Sequence, residues 1–139
     1  MAAAAKSSEG MVSLEYPAVA EAVPAARHAV GDFAEAQEAD VAGVKMAVSE
    51  AVGNAVRHAF RDRHAPGSVW VRAERRGDTL DVVVEDNGTG MEPRIDSPGL
   101  GLGIPIIESV CQTLVIEERM GGGARILMRF ALEPQPETA

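Results

Sequence analysis

Apolar and polar residues alternate in five stretches of the chain, and that two-residue period predicts strands. MVSLEY, residues 11–16, is the first. SVWVRAE follows with Val69, Val71 and Ala73 on one side, and then TLDVVVED with Leu80, Val82 and Val84. TLVIEER and ARILMRFAL complete the set, the last gathering Ile126, Met128, Phe130 and Leu132 on a single face. Elsewhere the apolar repeat lengthens to three and four residues. Pro24 suits a first turn and would break a helix interior, so a helix begins near Val23 and turns Ala26, Val30 and Phe33 inward. A longer helix runs from about Asp40 to Phe60 on the stripe Val44, Val48, Ala51, Val52, Ala55, Val56 and Ala59. IPIIESVC is a third, short helix with Pro105 in its first turn. Arg76-Gly77-Asp78 reads as a tight hairpin, and the glycines after Met120 join the last two strands.

This order of elements predicts an α+β fold: a two-layer sandwich with a mixed, mostly antiparallel sheet and its helices on one face. One domain spans residues 11–132, flanked by disordered tails at 1–10 (MAAAAKSSEG) and 133–139 (EPQPETA). A chain of 139 residues is long enough to close a single core, and it contains no internal repeat.

Charge narrows the function. A net charge of −8 and a pI near 4.8 argue against a sequence-independent grip on nucleic acid, which needs clustered Lys and Arg. An anionic ligand would need local help, from a metal ion or from the amides at a helix N-terminus. Cys111 is the sole cysteine, so no internal disulfide forms and thiols set no metal site. No apolar run approaches the roughly 20 residues of a membrane span, and the N-terminal residues lack the apolar core of a signal peptide. A cytoplasmic protein is expected.

Three stretches carry candidate chemistry. In VVVEDNGTGM, residues 82–91, Asn-Gly after alternating valines signals a hairpin, yet MEPRIDSPGLGLG beyond Gly90 offers no returning strand. The alternative is a strand that ends in an exposed loop. In SEAVGNAVRHAF, Glu50, Asn54 and His58 recur every fourth residue along one edge of a helix. They are either a solvated helix face or a site in which an amide oxygen binds a hard cation and a carboxylate serves as base. His58, Arg61, Arg63 and His64 crowd the C-terminal end of that helix and complement its dipole. In GLGLGIPII, Gly99, Gly101 and Gly103 lead into a helix, either as a flexible linker or as bare amides for an anion. No Lys-Ser/Thr follows them, so they are not a Walker loop; Ile104 and the lack of a preceding strand exclude the dinucleotide fingerprint.

The order of these motifs is more informative than any one of them. Glu50-x-x-x-Asn54, Asp86-x-Gly88-x-Gly90 and Gly99-x-Gly101-x-Gly103 resemble the N box and the two glycine boxes of the gyrase, Hsp90, histidine kinase and MutL type of ATPase, the Bergerat fold. The match spans roughly residues 11–132. A short chain, no phosphoacceptor helix pair and a short lid between Asn87 and Gly99 make it most similar to the anti-sigma factor serine kinases of bacterial partner-switching systems. The resemblance implies ATP and Mg²⁺ as cofactors. It implies that Asp86 accepts a hydrogen bond from the adenine amine, and that Gly88 and Gly90 let the backbone close over base and ribose. It further implies Asn54 as the Mg²⁺ ligand, Glu50 as general base, and Gly99, Gly101 and Gly103 at the phosphates. The implied partners are an anti-anti-sigma protein of the STAS type, a sigma factor and a second copy of the chain.

Two positions qualify the resemblance. Families of this kind place a threonine before the final strand, in the water network around the adenine; Ala124 stands there instead. Arg94, the only cation of the lid, is either a γ-phosphate contact or a solvated loop residue. The rival from another class is a non-catalytic module that binds ATP or ADP and sequesters a partner. A detached histidine kinase catalytic domain is a third reading, against which the short lid counts.

Overall fold

A computed structural model of the chain describes residues 4–8, 10–59, 67–88 and 103–132. In chain order these form β1 (Ala4–Ser8), β2 (Met11–Pro17), α1 (Ala22–Ala36), α2 (Val41–Ala59), β3 (Ser68–Arg76), β4 (Thr79–Asp86), α3 (Gly103–Val110), β5 (Thr113–Glu118) and β6 (Ala124–Ala131). The strands make one sheet in the order β1-β2-β3-β4-β6-β5.

Alternation sets the register. Leu14 lies opposite Val71, Val71 opposite Val84, Val84 opposite Ile126, and Ile126 opposite Ile116, so one apolar rung crosses five strands. A second rung runs through Val12, Ala73, Val82, Met128 and Leu114. A slip of one residue in any strand would turn its half of these side chains to the other face, which is why the register is strongly specified. Helices α1 and α2 pack on each other, and α2 also contacts β3, β4, β6 and α3. Val44, Ala47, Val48, Ala51, Val52, Ala55 and Val56 of α2 and Ala22, Ala26, Val30 and Ala34 of α1 are buried in the core, with Phe33 packed half-buried against it. Small side chains dominate the α1–α2 stripes, which lets the helices approach closely.

The sandwich is the predicted one, and two details sharpen it. Every described pairing is antiparallel. Strands β4 and β5 run in the same direction, but β6 lies between them, so no parallel pair forms among the described residues. The expected disordered tail does not hold for residues 4–8, which pair with β2 from Ala4 opposite Glu15 to Ser8 opposite Met11. The edge of β2 presents unpaired backbone groups, and AAKSS satisfies them although its composition carries no strand signal. Residues 133–139 lie outside the described residues.

The sheet face away from the helices is held by charge. Asp81 and Arg129 are cross-strand partners, and Arg129 donates from Nε to Asp81 Oδ1 at 2.9 Å and from Nη2 to Oδ2 at 3.1 Å. These bonds hold the Asp81 carboxyl below the usual carboxylate range, against the opposing effect of burial. Arg125 bridges Glu85 and Glu117, and Arg119 stacks 4.5 Å over the Trp70 ring. The cavities on this face, lined by Trp70, Arg72, Val83, Leu127 and their charged neighbours, contain none of the motif residues.

Candidate functional site

The described motif residues lie on α2 and on the elements that it contacts, the end of β4 and the start of α3. Glu50 and Asn54 stand one turn apart on that helix, Glu50 half-buried and Asn54 only 7% exposed. A buried carboxamide needs partners, and Arg57 supplies one by donating from Nη2 to Asn54 Oδ1 at 2.5 Å. Helix α2 packs on β4 and on α3, so it is the common neighbour of the strand that carries Asp86 and of the helix that Gly103 begins.

Asp86 is the last residue of β4 and lies on the core-facing side, continuing the series Leu80, Val82 and Val84. It is 4% exposed and pairs across the sheet with Val69. Its Oδ1 accepts the backbone N–H of Gly88 at 2.8 Å, which turns the chain back over the carboxylate as the strand ends. Asn87 ties the same corner to β3: its Oδ1 accepts the Ser68 N–H at 2.7 Å. No hairpin follows, because the strands beside β4 are β3 and β6. The Asn-Gly pair is a strand terminus.

On the far side, the start of β6 closes against Asp86. Ala124 is 3% exposed, and the register that sets Glu85 opposite Arg125 brings it beside Asp86. Gly123 has φ of +99°, and a Cβ built there would lie 1.8 Å from the Asp86 carbonyl oxygen. Only glycine permits that approach.

Sequence reasoning gave Gly123 only a place in the turn before the last strand and gave Arg57 no role. The signal for Arg57 was its place at i+7 from Glu50 and i+3 from Asn54, on the same helix edge. Gly123 was hidden in a run of three glycines. Gly90, Arg94, Gly99 and Gly101 lie outside the described residues, and so does the side chain of His58. Among the described residues no cluster of three or more His, Cys, Asp or Glu is placed to hold a metal. A single amide oxygen still suits Mg²⁺, which keeps several waters and takes much of its coordination from substrate phosphates. A buried acceptor on an otherwise apolar floor likewise suits the donor edge of an adenine.

Comparison with known families matches residues 16–130 to the histidine kinase-like ATPase domain. This chain belongs to that family. It is 32% identical over 138 residues to the anti-sigma F factor of Clostridium acetobutylicum, covering 89% of this chain and 96% of the relative. It is 28% identical over 134 residues to the serine-protein kinase RsbW of Staphylococcus aureus, covering 84% of each. Among solved structures, the RsbU and RsbW domains of Rv1364c from Mycobacterium tuberculosis superpose with a TM-score of 0.66 at 23% identity. That match covers 86% of this chain and 32% of the other, and it supports the shared fold. As a histidine kinase-like ATPase domain, the chain uses ATP as its nucleotide. No helix among the described residues is long and apolar enough to cross a membrane.

Proposed function

We propose that the protein is an ATP-dependent anti-sigma factor serine kinase. It phosphorylates an anti-anti-sigma protein of the STAS type and, when free of that antagonist, sequesters a sigma factor. The observation that carries this reading is the pairing of Glu50 with Asn54 one turn apart on α2, the helix that packs on the strand carrying buried Asp86. A clamp that only bound nucleotide would need no base at position 50. Relatives named as an anti-sigma F factor and a serine-protein kinase, matched over most of their length, support the substrate and partner classes.

In this mechanism Asp86 accepts the adenine amine, and Gly88 and Gly90 leave room for the base and ribose. The amides of Gly99, Gly101 and Gly103 meet the phosphates. Asn54 Oδ1 would hold Mg²⁺, which supplies charge neutralisation at the phosphates. Glu50 takes the proton of the attacking serine hydroxyl as its oxygen bonds to the γ-phosphorus and the bond to the β-phosphate oxygen breaks, releasing ADP. The site works in a homodimer, for which the outer edge of β1 and helix α1 offer surface; a monomeric mass by light scattering at micromolar concentration would remove that element.

The kinase assay uses purified protein, Mg·ATP and the cognate antagonist. Phosphoserine should appear on the antagonist and fall by about 10²-fold or more with Glu50→Gln, the range of a lost general base. No phosphoserine with the wild type ends the kinase reading. A second reading has Ala124 in its favour. Without a hydroxyl beside Asp86, the site serves as an ATP- or ADP-binding module that sequesters a partner without chemistry, and nucleotide binding with no phosphotransfer would select it.

A further inference from the structure

The carboxamide oxygen of Asn54, the atom that the kinase reading gives to the metal, is already engaged by a cation of the chain itself. Arg57 reaches back one turn along α2 and donates from Nη2 to Asn54 Oδ1 at 2.5 Å. Helical side chains lean toward the N-terminus, so a residue three positions earlier is the natural target. The guanidinium lies over Gly53, where a Cβ would stand at ordinary van der Waals distance, 3.5 Å from Arg57 Nη1 and 4.0 Å from Nη2. The acceptor is buried and Arg57 is exposed. The bond therefore joins a fixed oxygen to a head group with an open route into solvent.

Two consequences follow from elementary electrostatics. A cationic donor orients the amide with its oxygen, and not its NH₂, toward the guanidinium. A guanidinium and a divalent cation repel at close range, so they are alternatives at one carboxamide oxygen.

We propose that Arg57 is a displaceable occupant of the proposed metal-binding oxygen. Without nucleotide it holds Asn54 Oδ1, and it must leave that oxygen when a divalent cation enters with the nucleotide. The proposal rests on the ATP-dependent reading above. Breaking the Arg57 bond opposes the metal-dependent part of nucleotide binding and leaves untouched the part carried by Asp86 and the backbone amides.

Calorimetric titration of the full chain with ATP in excess Mg²⁺, and with ATP in EDTA, separates the two parts. Arg57→Met keeps the stem and removes the donors. It should raise the ratio of the EDTA Kd to the Mg²⁺ Kd about three- to tenfold, the size of one net hydrogen bond, with the EDTA Kd changed less than about twofold. Arg57→Lys, still cationic and able to donate, should hold the ratio near that of the wild type. In an Asn54→Ala background Arg57→Met should no longer move the ratio, because its effect passes through that amide. A ratio unchanged or lowered in Arg57→Met overturns the proposal while nucleotide binding by the wild type stands. A wild type that binds ATP in neither buffer sinks the nucleotide reading, and this proposal with it.

Discussion

Replacing Gly123 with alanine tests the wall of the site behind Asp86. Gly123 and Gly122 both have positive φ, +99° and +108°, so alanine at either position is held in a backbone region that costs about 1–3 kcal/mol. Their surroundings differ. A Cβ at Gly122 meets nothing within 4 Å, whereas at Gly123 it falls 1.8 Å from the Asp86 carbonyl oxygen, 2.7 Å from its carbon and 2.9 Å from the Asn87 Cα. All three neighbours are backbone atoms and cannot rotate aside. To restore a tolerable contact, the start of β6 must open from the end of β4 by about 1.2 Å. That movement strains the Arg119 N–H to Gly123 carbonyl bond of 2.9 Å and the pairing of Glu85 with Arg125.

Overpacking of this kind costs about 1–3 kcal/mol beyond the φ strain. Gly122→Ala is therefore the internal control, and Gly123→Ala should be less stable than it by about 2 kcal/mol, or roughly 6–10 °C in Tm for a domain of this size. Urea denaturation of both variants reads the first number and a thermal melt the second. Against a stability of about 5–15 kcal/mol for a natural domain, a combined cost of about 4 kcal/mol, the middle of these ranges, leaves Gly123→Ala folded at room temperature. ATP titration should then show a loss of affinity in Gly123→Ala that Gly122→Ala does not share, because only the former displaces the Asp86 backbone. Equal stabilities, within about 0.5 kcal/mol, would refute the close approach and the role assigned to this glycine.

Two further outcomes are expected. Asp81→Asn should destabilise the chain by about 1 kcal/mol at neutral pH, a charge-assisted bond discounted because the Arg129 side chain is 42% exposed. Since Arg129 lowers the folded-state pKa of Asp81, that contribution is present above the unfolded value near 3.9 and disappears as pH falls through the lowered one. The gap between wild type and variant should thus be constant from pH 7 to about 5 and narrow as pH falls below about 4; a gap that widens on acidification contradicts the assignment. Ala124→Thr should tighten ATP binding up to about fivefold, by adding one water-mediated contact beside Asp86. Unchanged or weaker binding would show that this wall of the site does not use a hydroxyl.

What could be read in advance was whatever depends on period. Leu80, Val82 and Val84, or Val44, Val48 and Val52, occupy the core because strands and helices have fixed repeats, and the repeats survive into the tertiary structure. Contacts between segments remote in sequence were not legible. Residues 4–8 became a strand because the neighbouring edge of β2 was available to AAKSS. Asp81, in an outward-facing position, is buried because Arg129, 48 residues later, lies across it. Gly121, Gly122 and Gly123 form one undifferentiated run in the sequence. All three have positive φ, yet only Gly123 presses on backbone, and that distinction exists only once β6 lies against β4.

The buried polar residues among those described show where pattern and function part. They are Asn54, Asp81 and Asp86. Asp81 faces away from the helices and is neutralised by its cross-strand arginine, which is a structural solution. Asn54 and Asp86 stand on the helix and the strand that meet inside the sandwich, where the local repeat favours an apolar side chain. Asp86 takes the next inward place after Val84, and Asn54 sits between Val52 and Ala55. Each takes a hydrogen bond from close by in the chain: Asp86 from Gly88 two residues on, Asn54 from Arg57 three residues on. The Arg57 bond comes from an exposed side chain of the same helix, so a ligand can exchange with it at small structural cost. A chain selected for stability alone would place leucine or valine at both positions, and that departure from the repeat is the physical argument for assigning both residues to the proposed nucleotide site.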